Sequence, residues 1–186
     1  MRDFPAAARF HLELKLKGEL FLQLIISGIE QESIVDGPGF RYAIFTQGCP
    51  HHCEGCHNPE TWPFEGGKSV EIEELFEEIQ ANPILKGVTF SGGEPFCQPA
   101  PLAELAKLVH GIGKDVVTYT GYTYEQLLEK HDPEIDALLN ETDLLIDGPF
   151  ILAQRDLELT FRGSANQRVI AMKQTRESGT VVLADL

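Results

Sequence analysis

From Tyr42 to Ile146 the chain alternates short β-type runs with amphipathic helical stretches, and no other feature limits its fold as strongly. Tyr42–Thr46, Gly87–Phe90, Asp115–Thr120 and Leu144–Ile146 read as strands rich in apolar and β-branched residues. Between them, Ile72, Leu75, Phe76 and Ile79 fall at i, i+3, i+4 and i+7 behind Ser69 as the expected cap. Pro101 is expected to open a helix carrying Leu102, Leu105, Ala106 and Val109, with Gly111 as its stop. Thr123 and Gln126 are spaced as a capping box, and Asp132-Pro133 begins another short helix. Repeated strand-then-helix units imply a parallel sheet joined by right-handed crossovers.

Outside that stretch the pattern is less regular. His11–Lys17 alternates apolar and polar residues as a strand does, and Phe21–Ile29 is a second apolar run leading into the loop Ser33–Gly39. Arg168–Met172 and Thr180–Leu183 read as late strands. The expected organisation is an N-terminal extension over residues 1–20 and one domain over 21–186.

In parallel βα folds, chemistry gathers beyond the C-terminal ends of the strands. The most unusual segments fall there. Cys49-Pro50-His51-His52-Cys53-Glu54-Gly55-Cys56 follows Thr46, Ser91-Gly92-Gly93-Glu94-Pro95 follows Phe90, Gly121-Tyr122 follows Thr120, and Asp147-Gly148-Pro149 follows Ile146. All four would line one mouth.

Composition narrows the setting. With 15 basic and 29 acidic residues the formal charge is −14, which argues against binding a phosphate backbone. The most apolar stretch, Leu20–Ile29, is about half the ~20 residues that span a bilayer, so no membrane segment is expected. The N-terminus lacks the long apolar core of a secretion signal. Three of the four cysteines lie within eight positions, unlike a secreted disulfide framework. The cytoplasm is the expected compartment.

The cysteine loop carries the chemistry. Cys49, Cys53 and Cys56 can hold three irons of a cubane and leave the fourth iron open to a ligand. Two other readings stay open on the loop alone. His51, His52 or His57 could complete a closed Cys3His zinc site, and Cys53 with Cys56 could form a redox pair.

The cysteine spacing resembles the C-x3-C-x2-C motif of the radical S-adenosylmethionine superfamily. Val35-Asp36-Gly37-Pro38-Gly39-Phe40-Arg41, Phe45-Thr46-Gln47-Gly48-Cys49, Cys56-His57-Asn58 and Thr61-Trp62 resemble the activases of glycyl-radical enzymes. Arg155-Asp156-Leu157, Phe161–Arg168 and Asp147–Phe150 resemble the activases of anaerobic ribonucleotide reductase. The likeness runs from about Ile29 to Ile170. One departure is Gly55, where the superfamily usually carries an aromatic; the reductase activases tolerate glycine there.

That resemblance implies an incomplete βα barrel and a 4Fe–4S cluster on Cys49, Cys53 and Cys56. It implies S-adenosylmethionine held near Gly55, Cys56, His57, Gly92, Gly93 and Glu94, with the Glu94 carboxylate accepting from the ligand's ammonium. The implied partners are the glycine loop of an anaerobic ribonucleoside-triphosphate reductase and a small electron donor such as flavodoxin or ferredoxin. A formate-lyase activase and a non-catalytic zinc module are the alternatives. Cys97 reads as a small buried filler. Arg155, Arg162 and Arg168 are either surface charges or a means of carboxylate or partner recognition.

Overall fold

The computed structural model describes residues 22–185, so the expected extension over residues 1–20 and the strand at His11–Lys17 lie outside the described residues. Seven strands form one sheet: β1 (Gln23–Ser33), β2 (Phe40–Thr46), β3 (Lys68–Glu71), β4 (Leu85–Gly92), β5 (Asp115–Tyr119), β6 (Leu144–Asp147) and β7 (Arg168–Ala171). Their order is β3-β1-β2-β4-β5-β6-β7. The central four are parallel. On one side β1 pairs antiparallel with β2 and β3 antiparallel with β1, and on the other side β7 pairs antiparallel with β6. The fold is an incomplete βα barrel, open among the described residues, with β3 and β7 as its edges.

Among the described residues five α-helices accompany the sheet: α1 (Ile72–Ala81), α2 (Pro99–Gly111), α3 (Tyr124–Leu128), α4 (Pro133–Asn140) and α5 (Met172–Ser178). The Ile72, Leu75, Phe76 and Ile79 face of α1 is fully used as core. Ser69 does not cap it. Four residue pairs with β1 draw Lys68–Glu71 into β3, and the Ser69 hydroxyl donates to the Gln23 side chain at 2.9 Å instead. Ladder hydrogen bonds satisfy more backbone groups there than a cap would.

α2 begins at Pro99, two residues earlier than expected; both prolines occupy the first turn, where N–H groups lack helical partners anyway. Its stop is Gly113 at φ +76° rather than Gly111. The Thr123–Gln126 capping box is present, and Asp132 caps α4 through the Glu134 N–H at 2.9 Å.

The C-terminal part departs from the alternation. β7 runs antiparallel to β6, Met172 already belongs to α5, and Thr180–Leu183 contributes only a bridge from Leu183 to Ile170.

Successive strand residues point to opposite faces. Val116 therefore joins the large core beneath α1, α2 and α4 with Ile44, Phe90, Leu105 and Leu145, while Val117 packs with Ile146 and Val169 on the other face. Each such aliphatic side chain contributes roughly 1.5–3 kcal/mol through burial. Arg41 is fully buried at the start of β2. It donates to the Thr89 hydroxyl at 3.1 Å, to the Val88 carbonyl and to the Asp115 carboxylate. That ion pair joins three strands at the end of the sheet opposite the cysteine loop, and it removes Arg41 from any surface role.

Candidate active site

The cysteine loop leaves β2 at Thr46 and is tied down at once. Gly48 N–H donates to the Thr61 carbonyl at 2.8 Å and Cys49 N–H to the Trp62 carbonyl at 3.0 Å. The turn after β4 lies against the same loop, with Gly93 N–H on the Thr46 carbonyl and Glu94 N–H on the Gly48 carbonyl, both at 2.8 Å. A side chain at Gly93 would place its Cβ 2.4 Å from the Gly48 carbonyl oxygen. Glycine is needed there so that two loop backbones can meet, before any ligand is considered.

Cys49, Cys53 and Cys56 all line one cavity of about 570 Å³, a volume typical of small-molecule sites. His51, His57, Gly92, Gly93, Tyr119, Thr120 and Gly121 share its wall. Burial pushes the Cys49 thiol up, partly offset by the backbone N–H groups of His51 and His52. Burial raises the Cys53 thiol likewise, and the backbone N–H of Phe150 works against it. Asn58 N–H donates to the Cys56 sulfur at 3.4 Å. These amides stabilise negative sulfur, which is what a thiolate ligand becomes when a metal displaces its proton.

The donor set is three soft thiols spread around a roomy wall. Among the described residues no three His, Cys, Asp or Glu side chains gather as ligands of a single ion. A single zinc would draw its ligand atoms to within about 2.0–2.3 Å of one point. His51 is already committed: its Nε2 stands 2.7 Å from Glu94 Oε2. His52 packs edge-on to Trp62 and His57 tilts against Phe150, with ring centroids 5.0 and 5.3 Å apart. Three thiolates with amide donors to the sulfurs fit an iron–sulfur cluster.

Glu94 occupies a different place from the one expected. Its side chain is fully buried and does not line the cavity. Oε2 accepts from Gly121 N–H at 2.9 Å and the Thr120 hydroxyl at 3.1 Å in addition to facing His51; Oε1 accepts from Phe96 N–H at 3.0 Å. The carboxylate thus binds the loops after β2, β4 and β5 together and is not presented to a ligand. Gly55 also lies off the cavity wall. At φ +74° it lets the segment after β6 settle on the cysteine loop, where a Cβ would press on Leu152 at 3.0 Å. Cys97 is exposed and not buried, and it too is absent from the wall.

Residues 35–170 match the family model described as a 4Fe-4S single cluster domain. The anaerobic ribonucleoside-triphosphate reductase-activating protein of Vibrio cholerae serotype O1 is 38% identical over 143 residues, covering 72% of this chain and 89% of the relative. The protein of the same name from Escherichia coli strain K12 is 34% identical over 146 residues, covering 73% of this chain and 91% of the relative. The chain belongs to the anaerobic ribonucleoside-triphosphate reductase-activating protein family. A pyruvate formate-lyase-activating enzyme of Clostridium pasteurianum is 40% identical, but over 116 residues that cover 58% of this chain and 49% of the relative. The solved structure of QueE from Escherichia coli overlays with a TM-score of 0.44 at 20% identity, over 65% of this chain and 58% of that one.

In this member of the reductase-activating family, the wall includes groups that sequence reasoning passed over. Tyr119 ends β5 inside the cavity and donates its hydroxyl to the Phe161 carbonyl at 2.9 Å. Phe150 contributes its ring to the wall as well as its amide to Cys53. Its position after Asp147-Gly148-Pro149, beyond a strand end, was the available signal. Asp147 itself is buried and taken by Arg168 and the Tyr124 N–H, so it faces no ligand.

Proposed function

We propose that Cys49, Cys53 and Cys56 hold a 4Fe–4S cluster at which S-adenosylmethionine is reductively cleaved, and that the product radical activates an anaerobic ribonucleoside-triphosphate reductase. The supporting observation is the meeting of three thiols, the Gly92-Gly93 turn and the end of β5 around a single cavity. A cluster held by Cys49, Cys53 and Cys56 would supply the one-electron reduction that S-adenosylmethionine cleavage and hydrogen abstraction from a partner glycine require. The chain's own residues do the rest. Cys49, Cys53 and Cys56 would hold the cluster with three thiolates, the backbone of Gly92 and Gly93 would border its ligand on the same cavity wall, and Glu94 with His51 holds the surrounding loops in register.

The rim supports a macromolecular partner. Ile34, Val35 and Leu157 line the cavity and are 68%, 70% and 80% exposed. A docked protein would cover these side chains and exclude water from a radical that water-borne solutes would quench. Asp36, on the same loop, completes the polar part of that rim. A small one-electron donor such as flavodoxin or ferredoxin would reduce the cluster, and the chemistry suits an anaerobic cytoplasm. Among the described residues no helix is long and apolar enough to cross a membrane.

The partial match to a pyruvate formate-lyase-activating enzyme keeps that partner class as the second reading. Reduced protein is incubated anaerobically with S-adenosylmethionine and either partner, and the glycyl radical is followed by electron paramagnetic resonance. A radical on the ribonucleotide reductase is expected; a radical on formate lyase alone, or on neither, overturns the reading.

A further inference from the structure

β1 is longer than β3 can cover. It runs from Gln23 to Ser33, but β3 pairs with it only from Gln23 to Ile26. Among the described residues no strand lies beside Ser27–Ser33 on the side away from β2. Along an antiparallel edge about every second residue turns its N–H and C=O outward, so this stretch offers open ladder groups to another chain. Ser27, Glu30, Gln31 and Glu32 are exposed there.

A groove of about 690 Å³ follows the same stretch. It shares Ile34, Val35 and Asp36 with the cavity of the three thiols, so the two adjoin. Glu30, Glu32, Asp36 and Glu60 bring four carboxylates to its wall, and no lysine, arginine or histidine lines it. None of the four forms an ion pair among the described residues. Glu32 accepts from the Asn82 amide at 2.9 Å and Asp36 from the Ser33 hydroxyl, neutral donors that leave both charges in place. Carboxylates alone make a solvated face; the open ladder beside these gives a chain something to bind.

We propose that this edge and groove take an extended segment of the protein partner that carries lysine or arginine, added to β1 as a further strand. The proposal rests on the function proposed above. Ladder bonds supply affinity whatever the segment's sequence, and the carboxylates of the groove select for basic side chains. Ser27–Ser33 matches about 20 Å of extended chain. At its Ser33 end stand the largely exposed Ile34 and Val35, so a segment leaving the edge there passes toward the thiols. A second copy of this chain does not suit the edge, because pairing two such edges sets like charges at Glu30 and Glu32 against one another.

Full-length, cluster-loaded protein is titrated anaerobically with the anaerobic ribonucleoside-triphosphate reductase of the same organism, and amide hydrogen exchange is followed over Ser27–Ser33. The outward amides should exchange quickly in the chain alone and slow at least about tenfold once the reductase is added. Glu30→Lys with Glu60→Lys should weaken reductase binding at least about tenfold at low salt, and the paired glutamine changes less, with iron content and S-adenosylmethionine binding equal to wild type. Glu177→Lys, a reversal at an exposed position of α5 outside the groove, should bind as wild type. Equal weakening by Glu177→Lys would reduce the effect to the net charge of the chain, and unchanged binding by the paired lysine changes would place docking elsewhere; each overturns the proposal. So does slow exchange at every amide of Ser27–Ser33 in the chain alone, which would give the edge an occupant from this chain or a second copy. If the lysine pair loses its iron, the glutamine pair decides by the same comparison. Wild-type protein that neither binds nor activates the reductase refutes the function proposed above as well, whereas activation without protection of Ser27–Ser33 refutes this inference alone.

Discussion

His51 Nε2 and Glu94 Oε2 stand 2.7 Å apart, joining the middle of the cysteine loop to a fully buried carboxylate on the turn after β4. The His51 ring lies flat enough against the chain that a Cβ at Gly121 would fall 2.4 Å from it, and it meets Tyr122 edge-on at 4.4 Å. With the bonds that Thr120 and Gly121 donate to the same carboxylate, this contact ties three loops together around the cavity. Its worth lies in what removal leaves behind, because each orphaned buried partner costs about 1–3 kcal/mol. Glu94→Ala should lower thermal stability by about 6–12 °C, from about 3 kcal/mol or more at 2–4 °C per kcal/mol in a chain of this size. His51→Gln, which keeps a donor near the same place, should lose less than His51→Ala. Melting curves on anaerobically loaded protein check the order.

The cluster ligands make the second expectation. Cys49→Ala, Cys53→Ala and Cys56→Ala should each lose most of the bound iron, since each thiol borders the same cavity from a different position. Cys97→Ala should retain it, as Cys97 is exposed and off the wall. Iron and acid-labile sulfide are measured after anaerobic reconstitution. Iron lost from the Cys97 variant, and kept in one of the other three, would reassign the ligands.

Gly93 yields a sharper result than turn chemistry alone would give. Its Cβ would fall 2.4 Å from the Gly48 carbonyl and 2.9 Å from that of Thr46, both rigid backbone atoms. Gly93→Ala should therefore displace the cysteine loop and cost about 1–3 kcal/mol. Reduced cluster content and weaker S-adenosylmethionine binding should appear together. A variant with full iron and impaired binding only would place the clash on the ligand and not on Gly48.

His110 supplies a pH dependence remote from the site. Its ring nitrogens are 2.9 Å from Glu141 and 2.9 Å from Asp143. Desolvation holds its pKa down, but the hydrogen bonds to Asp143 and Glu141 outweigh it and the net shift is upward. A raised folded pKa stabilises the protein fully below the unfolded value of about 6.5, and the gain disappears as pH rises through the folded value. Such a part-exposed pair is worth about 0.5–1 kcal/mol, or about 1–4 °C. The melting difference between wild type and His110→Ala should be largest near pH 6 and narrow toward pH 9. A difference constant across that range would remove the charge from the explanation.

Local order was legible in the residues themselves. The α1 face, the Thr123–Gln126 capping box and the strand at Tyr42–Thr46 follow from periodicity and side-chain chemistry over a few neighbours. The same holds for the placement of the cysteine loop and the Gly92-Gly93 turn at strand ends, since alternation alone puts them at one mouth. Ser69 shows the limit: a capping residue becomes a strand residue once β1 offers it a ladder.

What the sequence by itself determined is the alternating βα order and the three thiols of the C-x3-C-x2-C loop. Only the tertiary structure decided which polar groups face the cavity and which hold it together. Glu94 and His51 are 43 positions apart, and Glu94 and Thr120 are 26 apart. A carboxylate beside two glycines has the same local chemistry whether it awaits a ligand or is spent on its neighbours. Arg155, Arg162 and Arg168 are likewise equivalent as letters, until β6 and α3 supply one with carboxylates and another comes to line the cavity of the thiols. Long-range packing assigns the roles because burial and hydrogen-bond partners are properties of the assembled chain, and those two quantities decide whether a polar group is free to act.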